Sequence, residues 1–275
     1  MDLEFTGERL VTGERNDTML EHLHRYALAA QYTANKTVLD IASGEGYGTN
    51  ILAKTAKKII GIDISEQAVN HAKEKYIANN LTYIVGSAFK IPLDDKSLDV
   101  IVSFETIEHH DKHEEMLSEF KRVLKEGGIV IISSPDKLQY SEIPQFNNPF
   151  HVKELYEHEF VDLVRNYFKE VIILYQRCVT ASFISPLGTD KIVEFIGTYE
   201  NIEPQSPLTN LYNIAIASDN PLPTYINGSF FQSGYLNDHE AILGEKYTNS
   251  TTWKIGRIIL SPLTLIKKIF APTNK

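Results

Sequence analysis

VLDIASGEGYGTNILA, residues 38–53, reads as a strand, a glycine loop and a helix. An apolar, β-rich run carries Asp40 near its end; Gly44, Gly46 and Gly48 follow at alternate positions, and helical spacing then resumes. Glycines there let the backbone approach a ligand, and the helix N-terminus offers it unpaired N–H groups. On its own the pattern fits a plain strand-to-helix turn or a dinucleotide site as well as any other nucleotide cleft.

The next element narrows the choice. IGIDIS, residues 60–65, is a second strand that ends in Asp63, fifteen residues past Gly48. That is close to the spacing at which a ribose-binding acid follows a glycine loop, and a carboxylate there can accept both ribose hydroxyls. The plainer reading is an acid that ends a strand. Ser65 then caps the helix EQAVNHAKEKYIA, with Glu66 in its first turn.

Working outward, TYIVGSA (82–88), LDVIVSFE (98–105) and IVIISSP (129–135) are further strands, the second apolar enough to be buried on both faces. HEEMLSEFKRVLKEGG is an amphipathic helix with Gly127 and Gly128 as its stop, and KELYEHEFVDLVRNYF is another helix. EVIILYQ (170–176) and LYNIAIASD (211–219) predict an antiparallel edge pair. EHLHRYALAAQY (21–32) predicts a helix ahead of the sheet, with Leu20, Leu23, Ala27 and Ala30 as its apolar face. The fold class is therefore α/β, a Rossmann-like doubly wound seven-stranded sheet, mostly parallel with one antiparallel edge strand. The expected divisions are a flap and helix over 1–35, the sheet domain over 36–220 with a cap insertion at about 177–210, and an extension over 221–275.

Composition sets the outer limits. With 43% hydrophobic and 23% charged residues the chain of 275 is ordinary for a folded protein. A net charge of -9 argues against a nucleic-acid partner. Cys178 is the sole cysteine, which excludes an intrachain disulfide and a thiolate-rich zinc site and suits a cytoplasmic location. Past Glu245 the chain has lysines and an arginine but no carboxylate. Residues 253–270, WKIGRIILSPLTLIKKIF, read as a basic amphipathic segment for peripheral contact with the inner face of a membrane, or for docking on a glycosyltransferase complex.

VLDIASGEGYG, GIDIS, IPLDDKSLDVIVSFETIEHH and FKRVLKEGGIVIISSP together resemble the successive motifs of class I S-adenosylmethionine-dependent methyltransferases over about residues 36–136. The resemblance implies S-adenosylmethionine as cofactor and S-adenosylhomocysteine as product. It implies that Asp40, Ala42, Gly44 and Gly46 line the methionine and ribose end and that Asp63 holds the ribose hydroxyls. Ile64, Ser87 and Ala88 would border the adenine, with Phe104 and Glu105 near the sulfonium. Ala42 stands where the family has its first loop glycine, which is tolerable if its φ is negative. FTGERLVTG, EHLHRYALA, ETIEHHDKHEEML and NPFHVKELYEHEF resemble a subgroup associated with bacterial surface-polysaccharide biosynthesis, implying a glycan or phosphorylated-sugar acceptor.

For an acceptor hydroxyl a general base is needed, and His109 is the leading candidate, with Glu108 as orienter and His151 as the second candidate. Arg9, His24, Arg25 and Tyr26 suit an anionic or hydroxyl-rich acceptor. His109, His110, Asp111, His113, Glu114 and Glu115 are ligand-type residues in one run, yet solvated surfaces are often this charged, and no metal is expected. A nicotinamide-dependent oxidoreductase would leave ETIEHH and RVLKEGG unexplained. A non-catalytic adaptor that binds the cofactor is the other alternative.

Overall fold

The apolar runs become the sheet. The computed structural model describes residues 9–13, 16–179, 195–197, 202–204, 210–222 and 228–231. Its strands are β1 (Thr37–Ile41), β2 (Lys58–Asp63), β3 (Leu81–Val85), β4 (Leu98–Ser103), β5 (Leu124–Pro135), β6 (Glu170–Gln176), the short pair β7 (Phe195–Gly197) and β8 (Ile202–Pro204), and β9 (Tyr212–Ser218). Seven of them form one sheet in the order β3-β2-β1-β4-β5-β9-β6. All neighbours are parallel except β9, which pairs antiparallel with both β5 and β6. The expected mostly parallel seven-stranded sheet is thus present, with its antiparallel pair at the β6 edge.

The sheet is covered on both faces, which is why its central strands read as unbroken apolar runs. Leu39, Ile41, Ile62 and Ile101 pack with Met116, Phe120 and Phe160 from helices α4 (His113–Val123) and α5 (Glu157–Tyr167). Val38, Ile59, Val100 and Val102 pack on the opposite face with Ala29 and Leu52 from α1 (Asp17–Thr33) and α2 (Tyr47–Ala53). Full burial of such a side chain contributes about 1.5–3 kcal/mol, so the alternation of faces along β1 fixes its register against both neighbours. Strand order reverses at β1, between β2 and β4, and in sheets of this kind a crevice opens at such a point beyond the strand ends.

Two details differ from expectation. The α1 face is rotated: Ala27 is exposed, while Met19, Glu21, Arg25, Tyr26 and Ala29 are buried. Apolarity alone misleads there because the helix buries a polar stripe that finds its partners elsewhere in the fold. Gly127 and Gly128 do not stop α4, which ends at Val123. They lie within β5, where the register jumps from Leu98↔Leu124 to Val100↔Ile129, and Gly127, at φ +73°, accommodates the bulge. Ser65, as expected, caps α3 (Glu66–Lys75) by accepting from the Ala68 N–H.

Most of the cap insertion at 177–210 and all of the tail at 253–270 lie outside the described residues. Among the described residues no helix is long and apolar enough to cross a membrane.

Candidate active site

Register places the site. Ile41 pairs with Ile62 on one side and with Ser103 on the other, so the loop after β1 emerges between Asp63 and Phe104. The Asp63 carboxylate accepts from the Gly44 N–H and the Ser65 N–H, each at 2.8 Å, which ties the glycine loop to the end of β2. Gly44, Asp63, Ile64, Ser87, Ala88, Phe104 and Glu105 all line one cleft of about 340 Å³. Ile64, with 75% of its surface exposed, offers a bare apolar side chain at the rim.

Ala42 also lines this cleft, but at φ +58°, so the condition under which an alanine would sit there without strain is not met. The loop turns through positive φ at Ala42, Gly44 and Gly46, and only alanine meets a Cβ penalty, of about 1–2 kcal/mol. Ala42→Gly is therefore expected to stabilise the fold by about 0.5–1 kcal/mol after the added flexibility of the unfolded chain is deducted. Urea unfolding checks this, and a loss of stability would exclude left-handed backbone at this position.

Asp40 and Gly46 sit behind the cleft, not on its lining. Asp40 accepts from Thr49 Oγ1 at 2.6 Å and from the Tyr26 hydroxyl at 3.3 Å, and it is 1% exposed. Burial, only partly offset by these bonds, raises its carboxyl to about 7. The sign follows. Between about pH 4 and 7 the unfolded chain ionises at this group while the folded one holds its proton, so wild type loses stability as pH rises through that window. Asp40→Asn does not titrate; its stability relative to wild type should rise from pH 4 to 7, by at most about 4 kcal/mol, and then stay level. A pH-independent difference in urea midpoints would disprove the buried protonated acid.

The N-terminal segment reaches the cleft. Glu45, in the glycine loop and 2% exposed, accepts from the Thr12 N–H at 2.9 Å and from the Thr12 hydroxyl at 2.7 Å, with Lys75 Nζ at 2.5 Å. Burial pushes the Glu45 carboxyl up, but the bonds from Lys75 and Thr12 leave it below the usual range. Glu45, His22 and Tyr47 line the cleft, although the motif identified only the loop glycines. Arg9 lines it too, with a guanidinium nitrogen 3.9 Å from Asp63, so it belongs to the β2 end.

The other residues expected to grip an acceptor are placed differently. Arg25 is 1% exposed; its Nε donates to Gln176 Oε1 at 2.6 Å, its guanidinium lies 4.3 Å over the Tyr212 ring, and Nη1 is 3.3 Å from Glu105. It is a core cation that holds α1 to β6 and β9. Beside it the Glu21 carboxyl is raised to about 7, by burial first. His24 is off the lining and bonds Ser229 at 2.7 Å. Tyr26 lines the cleft, but its hydroxyl is turned to Asp40.

At the end of β4, Glu105 takes φ +48° and is clamped by Ser133, whose hydroxyl accepts from the Glu105 N–H and donates to its carboxylate at 2.6 Å. A 3-10 turn, Ile107–His109, follows. It sends His109 and His110 to the cleft and Glu108 into the interior. His151 is brought alongside: its ring is 5.3 Å from that of His109 and stacks on Tyr140 at 5.3 Å. The turn holds this return loop directly, since the Glu108 carbonyl accepts from the N–H groups of Val152 and Lys153. Burial, and then the charge of Glu105, raises the Glu108 carboxyl well above the ordinary range. His110 is lowered to about 4 by burial and by His113.

Comparison with known proteins agrees with this geometry. Residues 39–132 match the family model described as a methyltransferase domain. The chain is 35% identical over 167 residues to a protein of Mycolicibacterium smegmatis named "Probable S-adenosylmethionine-dependent methyltransferase", covering 59% of this chain and 63% of that one. A like-named protein of Mycobacterium tuberculosis is 32% identical, with 60% of its length covered. The match thus spans somewhat under two thirds of these relatives. A solved S-adenosylmethionine-dependent methyltransferase from Archaeoglobus fulgidus shares the fold at a TM-score of 0.54 and 20% identity, covering 74% of this chain and 96% of that one. Residues 39–132 thus match a model described as a methyltransferase domain, and they carry the glycine loop at the point where the strand order reverses.

Proposed function

We propose that the whole chain transfers a methyl group from S-adenosylmethionine to a neutral hydroxyl, that of a sugar in a bacterial surface glycan or its precursor. The cleft fits the cofactor: Gly44 presents bare backbone at φ +54°, and the Asp63 carboxylate stands beside it to accept from ribose hydroxyls. Ile64, Ala88 and Phe89 form an apolar border for the adenine. When bound, the cofactor supplies an electrophilic methyl group; the chain has to align the acceptor, exclude water and take up a proton.

One observation carries the choice of acceptor. Glu105 stands on the cleft lining at the β4 end, whereas Arg25 is buried against Glu105 and Gln176, and Arg9 lies beside Asp63. Arg25, 1% exposed, is beyond an acceptor's reach, Arg9 is turned toward Asp63, and the Glu105 carboxylate disfavours a second anion. Two more distant relatives, 24% and 25% identical, are named fatty-acid and malonyl-[acyl-carrier protein] O-methyltransferases. The charge at the β4 end favours a hydroxyl over those acids. The glycan assignment rests on the resemblance of FTGERLVTG and NPFHVKELYEHEF to that subgroup.

The test supplies methyl-labelled S-adenosylmethionine with neutral methyl glycosides, sugar phosphates and a fatty acid. Label in a base-stable methyl ether of a glycoside is expected. Label confined to base-labile esters would overturn the hydroxyl reading, and binding of S-adenosylhomocysteine without transfer to any acceptor would favour the adaptor. His109→Ala is expected to lower kcat by roughly a hundredfold. An unaltered rate removes His109 from the reaction.

A further inference from the structure

Glu108 is 1% exposed, and neither carboxylate oxygen has a hydrogen-bond partner among the described residues. A buried carboxylate left without donors is costly. Its surroundings are not apolar, however. One oxygen of Glu108 and one ring nitrogen each of His109 and His151 lie within 4.8 Å of one another.

Both imidazoles are braced from behind. His109 Nδ1 is 3.0 Å from the Phe150 carbonyl oxygen, an obligate acceptor, so Nδ1 carries the hydrogen and Nε2 the lone pair. His151 Nδ1 is 2.5 Å from Glu154 Oε1, which selects the same tautomer. Its Nε2 lies 3.0 Å from Asn148 Nδ2, a contact that an ion would replace. A ring whose second nitrogen donates to a carbonyl or carboxylate is the arrangement metal-binding histidines adopt.

We infer that Glu108, His109 and His151 form a binding site for a divalent first-row transition ion of the Zn²⁺ or Mn²⁺ kind. Two imidazoles and one carboxylate suit such ions better than Mg²⁺, which takes oxygen ligands and keeps its waters. Three protein ligands leave a position open, and His109 is the ligand on the cleft lining, beside Phe104 and Glu105. The inference rests on the methyl-transfer reading and deepens it: His109 serves as a ligand of the ion in place of a base, and its substitution lowers kcat through loss of the ion. An acceptor oxygen on the ion would ionise near neutral pH and pass its proton to water; its bond to the methyl carbon then forms as the carbon–sulfur bond breaks.

The test titrates Zn²⁺, Mn²⁺ and Mg²⁺ by calorimetry into the full chain after treatment with a chelator, with S-adenosylhomocysteine titrated separately. One equivalent of Zn²⁺ or Mn²⁺ is expected, with Mg²⁺ at least tenfold weaker. Glu154→Gln, which loosens His151, should weaken the ion by roughly 10–100-fold, and Glu108→Gln and His151→Ala by more. Co²⁺ bound to wild type should also show a visible absorption band that excess Zn²⁺ abolishes, a readout that needs no variant. The site is refuted if folded wild type takes up neither Zn²⁺ nor Mn²⁺, if Mg²⁺ binds as well as they do, or if folded Glu108→Gln and His151→Ala bind as wild type. Ion uptake without S-adenosylhomocysteine binding would uphold the site and defeat the methyl-transfer reading instead.

Discussion

Asp63→Ala is expected to weaken S-adenosylhomocysteine binding by at least about a hundredfold, the largest loss from any single cleft side chain. Hydrogen bonds to a charged acceptor are worth about 1.5–3 kcal/mol each, and two ribose hydroxyls would be released together. The same carboxylate holds the Gly44 N–H and the Ser65 N–H, so its removal also frees the glycine loop. Asp63→Asn keeps one acceptor oxygen but turns an amide NH₂ toward a backbone donor, and should fall between the two. Calorimetry on protein whose circular dichroism matches wild type decides the matter. An affinity within tenfold of wild type would remove Asp63 as the ribose acid.

The second large effect is on stability. A Cβ on Gly48 would lie 1.8 Å from Cζ of Tyr26 and 2.2 Å from its hydroxyl oxygen. Tyr26 has little room to retreat: it is 5% exposed and meets Phe104 edge-on at 5.2 Å and Tyr47 at 5.8 Å. Overpacking of this kind costs about 1–3 kcal/mol, and displacing Tyr26 also takes a donor from the buried Asp40. We expect Gly48→Ala to lose about 3 kcal/mol or more in urea unfolding. Tyr26→Ala should itself cost about 3–5 kcal/mol, and adding Gly48→Ala to it less than about 1 kcal/mol more, because the obstacle is gone. Full additivity would show that the alanine is resisted by something other than Tyr26.

The sheet was legible in sequence because strands buried on both faces are apolar throughout and because loop, helix and acid recur at spacings that the topology demands. What escaped was set by long-range partners. Glu21 and Arg25 look like solvent charges on a surface helix until Gln176 and Tyr212 meet them. The α1 face could not be read from apolarity for that reason. The glycine that the resembled family carries at position 42 hinted at positive φ, but the alanine itself did not, and the loop is held by the Asp63 bond to Gly44. Glu108 and His109 were visible as candidates in ETIEHH, but their juxtaposition with His151 depends on the return loop that Glu108's own carbonyl holds. No local spacing encodes that.

The position of β9 has a consequence during synthesis. β6 is synthesised before residues 212–218 exist, yet its place in the sheet is beside β9 and not beside β5. Until the later segment is translated, β5 shows an open flank carrying Val130, Ile131 and Ile132, and β6 has no docking partner in the sheet. Nascent chains interrupted in this interval expose a bare hydrophobic strand margin, and these truncated products should be the ones that chaperones retain and that aggregate when chaperones are scarce.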